Sequence, residues 1–311
     1  MKRVLISEVG PRDGLQSIAS ILPLTAKQAW ITAEAAAGVT EIEVGSFVSA
    51  KLLPQLADTA EVVAHARSIP GLTVAVLVPN LRGAEAAVSA GAHKLTIPVS
   101  VSQTHSLKNV RRTHEQMLEE VRAIVALLDR QPPESRPKLE GGLSTAFGCT
   151  LEGPVSPNKV VALAGELMRA GCDEVGLADT TGYANPAQVK SLVRWVKEAV
   201  GEHALSGLHL HNTRGLGLAN VLAGLEAGIT TFDSSLGGLG GCPFAPGASG
   251  NIVTEDLVFM LESMGIDTGV DLPRLFAARE ILRQALPHEE LHGFTPLAGL
   301  PLGFQPAVKG G

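Results

Sequence analysis

Two short stretches of this chain carry side chains that could do chemistry together. After Val4-Leu5-Ile6 comes Glu8-Val9-Gly10-Pro11-Arg12-Asp13-Gly14-Leu15-Gln16, which places a cation, a carboxylate and an amide on one tight loop. Alone, this stretch suits a surface turn with an Arg12–Asp13 ion pair as well as it suits a site. Leu208-His209-Leu210-His211-Asn212 is the sharper signal. Residues i and i+2 of a strand face the same side, so both imidazoles would point into one space at a separation suited to one cation. A lone inward histidine is usually a satisfied core group, but two at this spacing on a strand end read as a ligand pair. With Asp13 they would form a two-histidine, one-carboxylate set that leaves positions open for substrate and water. A divalent ion held there would act as a Lewis acid.

Other carboxylates and thiols compete for attention. Glu43 closes an apolar run, Glu41-Ile42-Glu43-Val44, where burial is costly without a partner such as Arg12. Asp179, after Leu177-Ala178, reads either as an inward carboxylate or as a helix N-cap. The glycine-rich stretch from Gly237 to Asn251 has Cys242 near its centre, as in a closing loop whose thiol can give or take a proton, although a loop needing several positive φ angles would look the same. His288-Glu289-Glu290-Leu291-His292 matches the H-E-x-x-H zinc pattern, but no Asp, Glu or His follows to act as a third ligand, so it reads as coincidence. Cys172 reads as a small buried hydrophobe. Cys149 is placed at the end of a fifth strand, where packing is the simpler role.

The elements that must position these groups announce themselves by a repeat. Ala37-Gly38, Ala90-Gly91, Ala170-Gly171 and Ala227-Gly228 each precede an apolar alternation, as a glycine-capped helix followed by a strand would. Helix starts are marked by Leu24-Thr25-Ala26-Lys27-Gln28, read as a capping box, and by Ser156-Pro157 and Asn185-Pro186. Strands are expected to begin near Val4, Glu41, Thr73, Lys94, Leu139, Glu174, Leu208 and Thr231, with helices over 159–170, 187–199 and 216–227. Eight such units favour an α/β fold of the closed (β/α)8 TIM-barrel type over an open doubly wound sheet. No G-x-G-x-x-G follows the first strand and no P-loop is present. One extra C-terminal helix is expected over 271–286. The catalytic domain is taken as 1–290 and the tail as 291–311, with Gly299–Gly311 mobile or draped on the surface.

Composition narrows the partners. At 45% hydrophobic and 18% charged, the chain can fill one large core and is not disordered. A net charge of −6, no basic run and few aromatics argue against a nucleic acid or an anionic membrane. No apolar stretch approaches the roughly 20 residues of a spanning helix, and Ser7-Glu8 interrupts any leader-like run, so a cytoplasmic protein is expected. Three scattered cysteines argue against a disulfide framework or a structural zinc site.

With Gly10-Pro11-Arg12-Asp13-Gly14-Leu15-Gln16, the paired histidines and Gly237-Gly238-Leu239-Gly240-Gly241-Cys242-Pro243 in one chain, the sequence resembles the 3-hydroxy-3-methylglutaryl-CoA lyases. The likeness runs from about residue 3 to about 286 and includes Ser46-Phe47-Val48-Ser49, Phe147-Gly148-Cys149 and Gly250-Asn251-Ile252-Val253-Thr254-Glu255-Asp256-Leu257. The cysteine-bearing glycine loop marks the lyase branch of a wider group of barrel lyases and Claisen-condensing synthases. The resemblance implies that Asp13, His209, His211 and Asn251 hold Mg²⁺ or Mn²⁺. It implies that Arg12 stabilises an enolate, with Gln16 and Glu43 supporting, and that Cys242 protonates the enolate carbon. Ser46 and Asp179 are the further substrate-binding positions, and Arg12, Asp13, His209 and Cys242 form the catalytic set. The base for the hydroxyl proton is Asp13 or a water at the ion. A homo-oligomer, dimer or tetramer, is also implied.

The expected activity is metal-dependent cleavage of 3-hydroxy-3-methylglutaryl-CoA, with coenzyme A as part of the substrate, to acetyl-CoA and acetoacetate. Alternatives are a lyase for a related 3-hydroxyacyl-CoA, a synthase joining acetyl-CoA to a 2-keto acid, or a metal-binding barrel without activity. Two stretches depart from the family's usual pattern: Asn212-Thr213-Arg214-Gly215-Leu216-Gly217 after the second histidine, and Pro98–His105 after the fourth strand. Both fall at strand ends, where they would alter the pocket walls. Arg214 is either a cation for a different carboxylate or a surface residue.

Overall fold

The computed structural model describes residues 3–240 and 250–307. Eight parallel strands close on themselves in sequence order: β1 (Leu5–Glu8), β2 (Glu41–Ser46), β3 (Thr73–Leu77), β4 (Lys94–Ser100), β5 (Lys138–Ser144), β6 (Glu174–Asp179), β7 (Leu205–Leu210) and β8 (Thr231–Ser234). The helices outside them are α1 (Leu24–Ala36), α2 (Thr59–Arg67), α3 (Leu81–Ala90), α4 (Gln103–Asn109), α5 (His114–Leu128), α6 (Pro157–Ala170), α7 (Pro186–Val200) and α8 (Gly217–Glu226). Then follow α9 (Thr254–Ser263), α10 (Leu272–Ala285) and the short α11 (Thr295–Ala298). This is the (β/α)8 barrel, with α10 as the extra C-terminal helix. Strand β7 begins three residues earlier than expected, at Leu205, because Leu205 pairs with Val175 before a register shift brings Leu208 opposite Leu177.

Period-two alternation sorts the strands into two environments. Ile42, Val44, Val74, Val76, Leu95, Ile97, Leu139, Val175 and Leu177 are buried under the helices and form the main core. The other face lines the barrel and is polar at its lower end. There the Lys94 ammonium lies 2.6 Å from Glu140, 2.8 Å from Glu174 and 3.7 Å from Glu41. Burial works against its charge, but these three carboxylates outweigh it and hold the proton far more firmly than a free lysine would. Burial pushes Glu140 up to about 7, although Lys94 pulls the other way.

The helix ends bear out the glycine repeat. Gly91 and Gly171 cap α3 and α6 with φ of 82° and 105°, and Gly38 and Gly228 follow α1 and α8 with φ of 104° and 88°. Asn185 caps α7 in a full capping box with Gln188. The box expected around Thr25 does not form. Helix α1 starts at Leu24 behind Pro23, whose ring fixes φ at −59° and begins the chain's turn without a side-chain cap. Ser156 stands at the N-cap of α6, but its side chain takes no cap hydrogen bond. Cys149 is not a strand end: β5 stops at Ser144, and Cys149 lies in a turn bridged to Gly153.

The C-terminal stretch is tied to the barrel mouth. Arg279 on α10 holds the carbonyls of Leu291 and His292, and His292 N–H donates to Gly237 O at 2.7 Å. The H-E-x-x-H residues form no helix, so His288 and His292 do not share a face. Beyond α11, Ala307 N–H donates to Glu262, which drapes the end of the described chain across α9.

Gly38 and Gly71 separate two causes of glycine dependence. Both have positive φ, 104° and 78°, but a Cβ on Gly38 would run into the Gly269 carbonyl while one on Gly71 meets nothing within 4 Å. Gly71→Ala should therefore cost only the left-handed strain, about 1 kcal/mol. Gly38→Ala should cost about 2 kcal/mol or more, since strain and overpacking add. Urea denaturation of both variants at neutral pH reads the difference.

Candidate active site

The chain leaves β1 into a single π-helical turn, Gly10–Gly14, in which the amides of Arg12, Asp13 and Gly14 all converge on the Val9 carbonyl. Pro11 at its start needs no amide partner, and Gly10 is the only residue type that fits. A Cβ there would lie 2.5 to 2.8 Å from Glu8, Ser235 and the Trp30 ring. The tight turn throws Arg12 and Asp13 into the barrel mouth instead of onto the surface.

Arg12 is buried, and its guanidinium is shared. Nε donates to Glu43 and Nη1 donates to Asp13. Burial opposes the charge, but Glu43 and then Asp13 outweigh it, so the guanidinium is held protonated more firmly than usual. The Arg12 partner that Glu43 needs is thus in place. Asp13 Oδ1 also accepts from Gln16 Nε2 at 2.8 Å, and Oδ2 accepts from Asn251 Nδ2 at 2.8 Å. Burial would raise the Asp13 carboxyl, yet Arg12, His209 and His211 together hold it well below the ordinary carboxylate range.

His209 near the end of β7 and His211 just beyond it lie two residues apart, and their Nε2 atoms lie 3.0 Å apart. The Asp13 carboxylate and both imidazoles each offer one atom within 4.8 Å of the others. Ligands at about 2.1 Å on adjacent corners of an octahedron would be about 3.0 Å apart, so the imidazole spacing suits a small divalent ion. Among the described residues no other such group of His, Cys, Asp or Glu occurs. Asn251 is brought to the same place by a bridge to His211, while Asn212 N–H donates to Gly250 O at 2.7 Å. Burial and the neighbouring His209 depress His211 to about 4, so it is neutral.

Beneath these groups lies support that the sequence did not reveal. Glu8 is fully buried and accepts from Gly10 N–H (2.8 Å), Leu236 N–H (3.0 Å) and Thr254 Oγ1 (2.7 Å). One carboxyl group therefore ties the turn carrying Asp13 to the exit of β8 and to the start of α9, three residues after Asn251. Burial is the main cause that pushes Glu8 up to about 7. Asp233 on β8 is also new. It is the register partner of His209, and its Oδ2 lies 3.0 Å from His209 Nδ1. Period two would have placed Asp233 inside the barrel, but only the β7–β8 pairing puts it beside His209.

The remaining expected residues fall out differently. Asp179 shares the face of Val175 and Leu177, not that of Glu174, so it does not point into the barrel. It is not the α7 N-cap either; its oxygens accept the amides of Tyr183 and Ala184 and shape the turn ahead of Asn185. Burial pushes it up to about 6 against those hydrogen bonds. Ser46 ends β2 with its amide on Thr59 and its Oγ buried without a partner among the described residues. Among the described residues Arg214 forms no ion pair, although its charge reaches Asp179. It donates to the carbonyls of Thr181 and Gly182 and lies 4.7 Å from the centre of the Tyr183 ring, joining the β6 and β7 loops. Cys242 lies outside the described residues. Cys149 and Cys172 are buried, and burial pushes Cys172 up to about 12.

A closed parallel barrel with two histidines, an aspartate and a buried arginine at the C-terminal end of its strands is a barrel enzyme with a candidate metal centre. Its sequence is specific enough to go further: the chain belongs to the HMGL-like family, whose model matches residues 3–282, and is a carbon–carbon lyase. It is 43% identical over 285 residues to the mitochondrial hydroxymethylglutaryl-CoA lyase of Macaca fascicularis, covering 92% of this chain and 86% of that one. The cytoplasmic 3-hydroxy-3-methylglutaryl-CoA lyase of Rattus norvegicus is 40% identical over 91% of this chain and 81% of its own length. Among solved structures, an HMG-CoA lyase from Acinetobacter baumannii in complex with coenzyme A and 3-methylmalate superposes with a TM-score of 0.89. It shares 42% identity, with 98% of this chain and 97% of that one covered.

The raised Glu8 carboxyl sets a pH dependence of stability. The fold favours its neutral form, so the native state holds more protons than the unfolded chain between about 4.5 and about 7, and stability falls as pH rises through that window. Glu8→Gln should flatten part of this decline, with the rest left to Glu34 and Glu255, which burial also raises. Urea midpoints at pH 5, 6 and 7.5 for wild type and variant measure it; an unchanged slope would contradict the assignment.

Proposed function

We propose that this chain cleaves the C2–C3 bond of 3-hydroxy-3-methylglutaryl-CoA, giving acetyl-CoA and acetoacetate. One observation carries the reading. Asp13, His209 and His211 converge beside a buried arginine whose Nε and Nη1 are committed to Glu43 and Asp13, while Nη2 has no partner among the described residues. That Nη2 is a fixed donor for an oxygen on which negative charge develops, and it needs no reorganisation when the bond breaks.

The donor set of two imidazole nitrogens and one carboxylate fits Mg²⁺ or Mn²⁺, with the Asn251 Oδ1 as a fourth ligand because its Nδ2 is taken by Asp13. Such an ion would make the tertiary hydroxyl more acidic and stabilise the departing ketone oxygen. Held well below the usual carboxylate range, Asp13 stays ionised and serves as a ligand, and either it or a water at the ion takes the hydroxyl proton. Arg12 binds the thioester oxygen as the C2–C3 electron pair moves into the enolate. Glu43 and Gln16 keep Arg12 and Asp13 in register. Ser46 offers its uncommitted hydroxyl to the substrate, and Asp179 shapes the adjoining 180–184 wall. Cys242 donates a proton to the enolate carbon to complete acetyl-CoA.

The catalytic unit in this reading is 1–290, with 291–311 as an appended tail. We place the enzyme in the cytoplasm, a reading supported by the cytoplasmic rat relative, while the Macaca relative is mitochondrial. No helix among the described residues is long and apolar enough to cross a membrane. The dimer or tetramer implied by the resemblance is read directly by light scattering.

The test is acetyl-CoA release from 3-hydroxy-3-methylglutaryl-CoA in a coupled assay. Release should require Mg²⁺ or Mn²⁺ and stop with EDTA. Cys242→Ser should lower kcat by about 10²- to 10⁴-fold, the usual worth of a positioned acid, while Mn²⁺ binding is unchanged. Metal-independent release, or a Cys242→Ser enzyme with full activity, would overturn the corresponding role.

A further inference from the structure

The two histidines at the candidate metal centre are not held alike. His209 Nδ1 lies 3.0 Å from Asp233 Oδ2, whereas His211 Nδ1 is buried with no hydrogen-bond partner among the described residues. Asp233 is the register neighbour of His209 across the parallel β7–β8 pair, so the contact is built into the sheet and not into a loop. Its other hydrogen-bonding opportunities are unused among the described residues, while Arg12 and Glu43 lie close enough to feel its charge.

We propose that Asp233 is the positioning residue of this centre: by accepting the Nδ1 proton of His209 it fixes the ring's orientation and keeps the Nε2 lone pair aimed at the site. The inference rests on the reading of Asp13, His209 and His211 as metal ligands. A neutral imidazole carries one ring proton, and a carboxylate can only accept, so the Asp233 contact commits that proton to Nδ1. Nε2, 3.0 Å from its counterpart on His211, is then the only atom of the ring left for an ion. The carboxylate also makes the ring a stronger donor of electron density. His211 has no such partner and takes its tautomer from the ion itself. The centre therefore has one ligand set before the ion arrives and one that adapts to it.

The decisive readouts are metal affinity and the proton's position, neither of which needs turnover. In the Mg²⁺-loaded wild-type protein, long-range ¹⁵N–¹H correlation should show His209 protonated at Nδ1 and bare at Nε2; a proton on Nε2 would overturn the proposal without any variant. Asp233→Ala should weaken Mn²⁺ binding about 10- to 100-fold by titration calorimetry. Asp233→Asn, whose amide oxygen can still accept from Nδ1, should recover most of that loss and preserve the tautomer. Wild-type Mn²⁺ affinity in Asp233→Ala, or an Asn variant as weak as the Ala variant, would overturn it. Failure of the lyase reading shows separately, as absence of acetyl-CoA release from a wild-type enzyme whose Mn²⁺ binding still depends on Asp233.

Discussion

The buried guanidinium of Arg12 is the charge around which the rest of the mouth is arranged. An unpaired cation at that depth would cost several kcal/mol, so it demands carboxylates, and those it has are the two that matter for the site. Glu43 comes from β2 and Asp13 from the same turn. In return, Arg12 holds Asp13 ionised, which keeps that carboxylate available as a ligand for a cation. The interaction that stabilises the fold locally thus also sets the chemical character of the site. It is geometrically exacting, because a turn that placed Arg12 elsewhere would leave Glu43 buried without a partner.

That turn is in turn braced from below. Glu8 reaches three strand and helix ends at once, and Glu255 at the start of α9 accepts from Gly237 N–H and pairs with Arg279. Arg279 then holds the 291–292 backbone against the loop leaving β8. A chain of buried charged groups consequently runs from the mouth of the barrel to its C-terminal helix. The interior below the site is polar too, with Lys94 among three carboxylates. Barrels of this type more often fill that space with branched apolar side chains. Here the apolar packing that stabilises the fold is concentrated between strands and helices, where Ile42, Leu95 and Val175 are fully buried.

What depends on local chemistry is legible in the sequence. Strand positions follow from two-residue alternation and helix ends from glycine, and both depend on a few neighbouring residues, so eight units and a closed barrel were legible. The His209 and His211 pair was legible for the same reason, because i and i+2 share a face in any strand. The misreadings are of groups whose local geometry or loop neighbours residue type alone leaves open. Asp179 reads as inward until its parity with Val175 and Leu177 is seen in β6. Thr25 reads as a cap until Pro23 is seen to start α1. Arg214 reads as a cation for another carboxylate or as a surface residue until the loops of β6 and β7 meet.

The sequence by itself determined the repeat, the paired imidazoles and the family-bearing loops, since residue type and spacing suffice to specify them. Only the tertiary structure decided the pairings across elements that the sequence does not announce. Glu8 takes two amides and a hydroxyl and Asp233 takes His209, across sequence separations of 2 to 246 and 24 residues, whereas the Arg12 pairs with Asp13 and Glu43 are legible in residue type. Electrostatic pairing at such distances is fixed by which strands become neighbours when the barrel closes. That closure is a property of the whole chain, to which no local pattern points.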